Sequence, residues 1–142
     1  MESPPLGLGT HWIFDGQGVP AAHLDEPTVR RVLEELPGLL GLSKVCPPQT
    51  FQHAEHGQRT VAGIVLLSES HFSLHAFPGQ GLVHGDLFSC KSFDIEAARR
   101  HLRQFLPFEF LHEHQLERSA HPQGRLGVSV DGSPRPSLPR TG

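Results

Sequence analysis

Long apolar runs, basic clusters and paired cysteines are all scarce in this chain, and each shortage closes off a class of function. Near the centre the longest unbroken apolar run covers only residues 64–67, far below the roughly 20 residues of a membrane helix. No membrane span is expected. Lysine and arginine number 12 against 15 acidic residues, with no lysine run or basic patch, which argues against a nucleic-acid partner. Two cysteines, Cys46 and Cys90, cannot build a disulfide framework and favour a reducing, cytoplasmic setting. The opening MESPPLG has neither a basic start nor an apolar h-region, so no signal peptide is expected. Gly-x-Ser-x-Gly, Cys-x-x-Cys and His-Glu-x-x-His are also missing, which weakens an ordinary serine hydrolase and a zinc site.

What is present fits one compact domain. The chain has 142 residues, enough for a substantial core. GTHWIF (9–14) reads as a strand with Trp12 and Phe14 on one face. DEPTVRRVLEEL (25–36) reads as a helix capped by Asp25, with Pro27 in its first turn and Val29, Val32 and Leu33 forming an apolar stripe. Pro37 and Gly38 weaken its end. KVCPPQTFQH (44–53) predicts a second strand that Pro47 and Pro48 interrupt or push to a sheet edge. VAGIVLLS (61–68) is almost wholly apolar and predicts a strand buried on both faces.

Two further runs, HFSLHAF and GLVHGDLFSC, flank Pro78-Gly79-Gln80 and suggest a hairpin. In the first, Phe72, Leu74 and Ala76 alternate with His71, Ser73, His75 and Phe77. DIEAARRHLRQFL (94–106) predicts an amphipathic helix capped by Asp94, with Ile95, Ala98, Leu102 and Phe105 inward. FEFLHEHQL (108–116) supplies a last strand. This pattern predicts an α+β fold, a two-layer sandwich of an antiparallel sheet with two helices on one face. Residues 1–118 form the expected domain. From 119 to 142 the composition turns to Gly, Pro, Ser and Arg, which reads as a disordered tail.

The cluster SESHFSLHAFP (68–78) carries the chemistry to be explained. If Phe77 pairs with Leu82, counting back along both strands sets Cys90 opposite Glu69, or opposite Ser70 after a slip of one. His75 lies about 16 Å beyond Ser70 on an extended strand, so joint action of the three groups calls for a kink at Ser70. From residue types alone three readings stand. The first has His71 and His75 as the polar side of a strand and Cys90 as a small core residue. The second draws metal ligands from His71, His75, His84, Cys90, His112 and His114. Residues four apart on a strand are about 13 Å from each other, which opposes it, and no metal is expected. The third pairs a serine nucleophile with a histidine base.

SESHFSLHAFP followed at this spacing by DLFSC closely resembles the short prokaryotic S-adenosylmethionine decarboxylases, which make their own pyruvoyl group. The resemblance runs from Gly9 to about Arg118 and implies self-cleavage between Glu69 and Ser70. Ser70 Oγ would attack the Glu69 carbonyl to give an ester, and His75 would remove the Ser70 α-proton. Ser70 would thereby become a covalent pyruvoyl cofactor. The substrate α-amine would condense with that ketone and lose carbon dioxide, with Cys90 as proton donor, a role suited to a thiol that is protonated at neutral pH yet able to release its proton. By resemblance the substrate is a small amino-acid-type molecule, Phe77 one of two aromatic residues about its adenine, and the assembly a homodimer of cleaved αβ protomers.

Two positions depart from the family pattern. Ala62 stands where a serine often assists processing. The upstream aromatic of the adenine clamp falls on Ala54 or His56. The same scaffold also serves pyruvoyl decarboxylases of ornithine or arginine, and an uncleaved non-catalytic paralogue is a third alternative. S-adenosylmethionine, as the commoner family substrate, is placed first.

Overall fold

A computed structural model describes residues 8–118; the proposed tail lies outside the described residues. Six strands form one antiparallel sheet: β1 (Gly9–Gln17), β2 (Gln49–Glu55), β3 (Gln58–Leu67), β4 (Ser70–Phe77), β5 (Leu82–Ser89) and β6 (Phe110–Arg118). Their order is β2-β3-β4-β5-β1-β6. Two helices, α1 (Glu26–Leu39) and α2 (Ile95–Phe105), cover one face. The expected α+β sandwich is observed.

The helices form where local chemistry directs them. Asp25 Oδ1 accepts from the Thr28 amide at 3.0 Å, and Pro27 sits in the first turn, where its missing N–H costs nothing. Asp94 caps α2 in the same way through Glu96 N at 2.9 Å. The α1 stripe Val29, Val32, Leu33 and Leu36 is fully buried, as are Ala98 and Leu102 of α2. The first helix runs through Pro37 to Leu39 rather than weakening before it. Arg99 of α2 forks onto Glu113 of β6 at 2.7 and 2.6 Å, which fixes that helix over the β1/β6 side.

Strand alternation divides the sheet into two faces. Trp12, Phe14, Val61, Val65, Phe72, Leu74, Ala76, Val83 and Leu87 point toward the helices and are buried. Gly85 has to be glycine, because a Cβ there would lie 2.3 Å from the Phe14 ring. The expectation that 61–68 is buried on both faces is overturned: within β3, Val61, Val65 and Leu67 are buried, whereas Ile64 is 40% and Leu66 49% exposed. Both helices lie on one side, and among the described residues no element covers the other. The second strand is an edge strand, and Pro47 and Pro48 precede it rather than interrupt it.

Candidate active site

Register organises the open face into rows. Phe51 pairs with Ala62, Ala62 with His75, His75 with His84, and His84 with Asp15. The next row joins Gln49, Ile64, Ser73, Asp86 and Ile13. Beyond it, Leu66, His71, Phe88, His11 and Leu116 stand side by side. With His112 opposite Asp15 and His114 opposite Ile13, six of the chain's 11 histidines stand on the uncovered face.

The hairpin register is the one the sequence predicts. Phe77 pairs with Leu82 and His71 with Phe88, which sets Cys90 against Glu69. Cys90 Sγ lies 3.2 Å from the Glu69 carbonyl oxygen, within donating distance. Two features place that thiol. A Cβ at Gly9 would fall 2.0 Å from the Ser89 carbonyl oxygen, so only glycine lets β1 lie this close to the chain entering Cys90. Ser89, itself 1% exposed, accepts from Lys91 N at 3.0 Å and donates to Lys91 O at 2.7 Å, bending the backbone around Cys90.

The Glu69–Ser70 linkage is conformationally loaded. Glu69 has φ +66°, in the left-handed region that costs an L-residue on the order of 1–2 kcal/mol. Ser70 follows as the first residue of β4, with Oγ 3.2 Å from the Ser68 carbonyl. The turn at Ser68-Glu69 satisfies the hairpin, so the expected kink at Ser70 does not occur. Instead β4 runs unbroken to Phe77, leaving His75 about 16 Å along the strand from Ser70. Within one chain, Ser70 and Cys90 meet across Glu69 and His75 does not join them.

His75 is exposed on the open face beside a cavity of about 320 Å³ lined by Gln49, Phe51, Ala62, Gly63, Ile64, Ser73 and His75. Phe51, 65% exposed, supplies an aromatic surface there. Ala54 and His56 sit on β2 and its turn, farther along the hairpin from this pocket. Phe51 is the residue the sequence reading passed over; its signal was an aromatic on the open-face parity of an edge strand. Phe77 lies on the same face, its ring edge-on to His84 with centroids 5.4 Å apart.

A second cluster also escaped notice. Asp86 Oδ1 receives both His11 Nε2 at 3.3 Å and His71 Nε2 at 3.1 Å, and Ser73 Oγ donates to Oδ2 at 3.0 Å. The hydrogen bond from His11 holds the Asp86 carboxyl below the ordinary carboxylate range; partial burial opposes this, and Ser73 and the His71 charge reinforce it. Spacing along a single strand could not show this group, because its members come from β1, β4 and β5.

Comparisons with known proteins agree with these features. Residues 10–119 match the family described as S-adenosylmethionine decarboxylase. A protein of Archaeoglobus fulgidus named S-adenosylmethionine decarboxylase proenzyme is 36% identical over 108 residues, covering 74% of this chain and 93% of that protein. A protein of the same name from Aquifex aeolicus is 36% identical over 84 residues, covering 58% of this chain and 59% of its own length. The crystal structure of the adenosylmethionine decarboxylase from Aquifex aeolicus superposes with a TM-score of 0.64 at 24% identity, covering 92% of this chain and 100% of that one. At that identity the superposition speaks for the fold alone.

Proposed function

The chain belongs to the S-adenosylmethionine decarboxylase family, and from that premise we propose that it is a proenzyme that cuts itself between Glu69 and Ser70 and then decarboxylates S-adenosylmethionine. The observation that carries this reading is the Cys90 thiol at 3.2 Å from the carbonyl of the strained Glu69–Ser70 linkage. In the first step Ser70 Oγ attacks the Glu69 carbonyl carbon, the amide becomes an ester, and Cys90 stabilises the developing oxyanion. Left-handed strain at Glu69 is released as that bond gives way. Removal of the Ser70 α-proton then eliminates the ester, leaving a carboxylate on Glu69 and a dehydroalanine that water converts, with release of ammonia, to the pyruvoyl ketone.

The residues around position 70 suit a pyruvoyl group: a serine that begins a strand and a thiol one strand away. Such a group supplies an electron-accepting carbonyl for loss of carbon dioxide. Cys90 is the nearby acid that returns a proton to the substrate carbon.

The processing base comes from a second copy. A general base has to lie within about 3 Å of its proton, and His75 of the same strand is about five times too far along it. The open face offers the remedy. Ile64, Leu66 and Phe51 are exposed there among polar residues, an apolar surface of the kind that packs against an equivalent one. In a two-fold dimer joined through this face, His75 of each copy serves Ser70 of the other, and the Phe51 pocket with Phe77 completes the substrate site. Ala62 contributes no hydroxyl to processing; Ser73, in the row next to His75, is the nearest open-face candidate. Among the described residues no helix is long and apolar enough to cross a membrane, and the free thiols Cys46 and Cys90 suit a reducing cytoplasm.

Intact-mass spectrometry and carbon dioxide release test the proposal together. Cleavage yields pieces of 69 and 73 residues from 142 (142 − 69 = 73), the larger beginning with a ketone. Gas is expected from S-adenosylmethionine and not from ornithine or arginine assayed in parallel. A whole chain with an ordinary serine at position 70 and no gas evolved overturns it.

A further inference from the structure

The cluster on the outer row of the open face is built like a metal site, and the decarboxylase chemistry leaves it without a task. We propose that His11, His71 and Asp86 bind one divalent transition-metal cation of the zinc class. Three neighbouring strands each deliver one ligand: β1 gives His11, β4 gives His71 and β5 gives Asp86. One ligand atom from each lies within 4.8 Å of the other two. Ligands about 2.0–2.1 Å from a tetrahedral ion stand roughly 3.3 Å apart. The Nε2–Oδ1 separations of 3.3 and 3.1 Å are already at that spacing, so binding needs only a modest closure of one imidazole toward the other.

The surroundings orient these ligands. Ser73 Oγ engages Asp86 Oδ2 at 3.0 Å and leaves Oδ1 as a single donor aimed between the imidazoles. The two imidazoles meet edge-on with centroids 5.9 Å apart, and Phe88 lies against both, 5.6 Å from His11 and 6.0 Å from His71, an apolar floor beneath them. In the single chain, side-chain exposure is 17% for His11, 36% for His71 and 34% for Asp86, so an ion can enter there before two open faces join. Two imidazoles and one carboxylate suit Zn²⁺, Co²⁺, Ni²⁺ or Fe²⁺ rather than Mg²⁺ or Ca²⁺, which take oxygen ligands. Three protein ligands leave at least one position for water pointing off the sheet. Each neutral imidazole binds through its Nε2 lone pair and carries its proton on Nδ1, so uptake needs a tautomer shift and no other reactant. Nothing in this proposal depends on cleavage or on decarboxylation.

The test uses the full-length, untagged protein after chelator treatment and dialysis. Cobalt titration followed by visible absorption, and zinc titration followed by calorimetry, are expected to saturate at one cation per chain. H11Q, H71Q and D86N, each able to keep a hydrogen bond, are expected to weaken binding at least tenfold, whereas H53Q on β2 leaves it unchanged. Imidazole nitrogen resonances provide a readout independent of variant folding: one equivalent of zinc should shift those of His11 and His71. No saturable uptake refutes the site, since the cluster is then only two imidazoles holding a carboxylate. So does uptake indifferent to D86N, or zinc that shifts His112 and His114 instead.

Discussion

A chain without His75 should be rescued by a partner without Ser70 if His75 acts across a dimer. Ser70 opens β4 and His75 lies on the same unbroken strand, about 16 Å away at ~3.3 Å per residue. Ser70 shares the parity of buried Phe72 and His75 that of open-face Phe77, so the partner's His75 has to reach Ser70 around the end of the sheet where β4 begins. S70A alone has no nucleophile and stays whole. H75A alone loses its base, which slows elimination by about a hundred- to ten-thousand-fold, and hydroxylamine should then split the stalled ester. When the two are co-expressed at equal levels, random pairing puts about half of the H75A chains opposite an S70A chain. In each such pair the intact Ser70 meets the intact His75 of its partner. Intact-mass spectrometry of the mixture should therefore find about half of the H75A chains cleaved and no S70A chain cleaved. The S70A/H75A double variant, expressed in excess, should do the reverse and trap the wild-type chain uncut. If H75A stays whole beside S70A, or wild type cleaves normally beside the excess double variant, the trans arrangement is wrong.

The other predictions probe the linkage, the core and the helix cap. Cys90→Ala removes the hydrogen bond to the Glu69 carbonyl; at about 1–1.5 kcal/mol, processing measured by gel densitometry should slow about tenfold, and turnover of whatever is processed should fall further. Unchanged processing would separate the thiol from the first step. Glu69→Gly relieves on the order of 1–2 kcal/mol of left-handed strain, so cleavage should slow by about five- to thirtyfold while the chain melts no lower; faster cleavage contradicts a role for strain. Gly85→Ala drives a methyl group into the Phe14 ring and should cost about 1–3 kcal/mol in denaturant unfolding. Asp25→Ala should cost about 1 kcal/mol at neutral pH. Hydrogen bonds from Thr28 hold the Asp25 carboxyl below its ordinary 3.8, so its contribution is present above that value and fades as pH falls through the folded one. The variant's stability should accordingly depend less steeply on acid below about pH 4.

Much of this protein is legible in its sequence. The capping aspartates Asp25 and Asp94, the alternation of 71–77 and the Pro78-Gly79-Gln80 connection act over a few residues, and such local rules yielded both helices and the central hairpin. Because a two-strand register follows from one turn, the facing of Cys90 and Glu69 also followed from counting. The apolar run of β3 was different. Val61 and Ile64 look alike as letters, and only the placement of both helices on one side makes the first core and the second surface. That one-sidedness in turn leaves His75 facing outward, away from the serine it was expected to serve.

The chemistry-bearing motif was thus determined by the chain itself: a serine after a strained glutamate, a thiol twenty positions on, and a turn that brings them together. Tertiary structure decided what belongs to no single segment. It set His11, His71 and Asp86 around one point from three strands, placed Phe51 beside His75, and put both helices on one face of the sheet. The physical reason is range. Turns and caps are local, whereas the neighbours of a strand are chosen by which apolar faces the helices can cover, and that choice involves the whole domain at once.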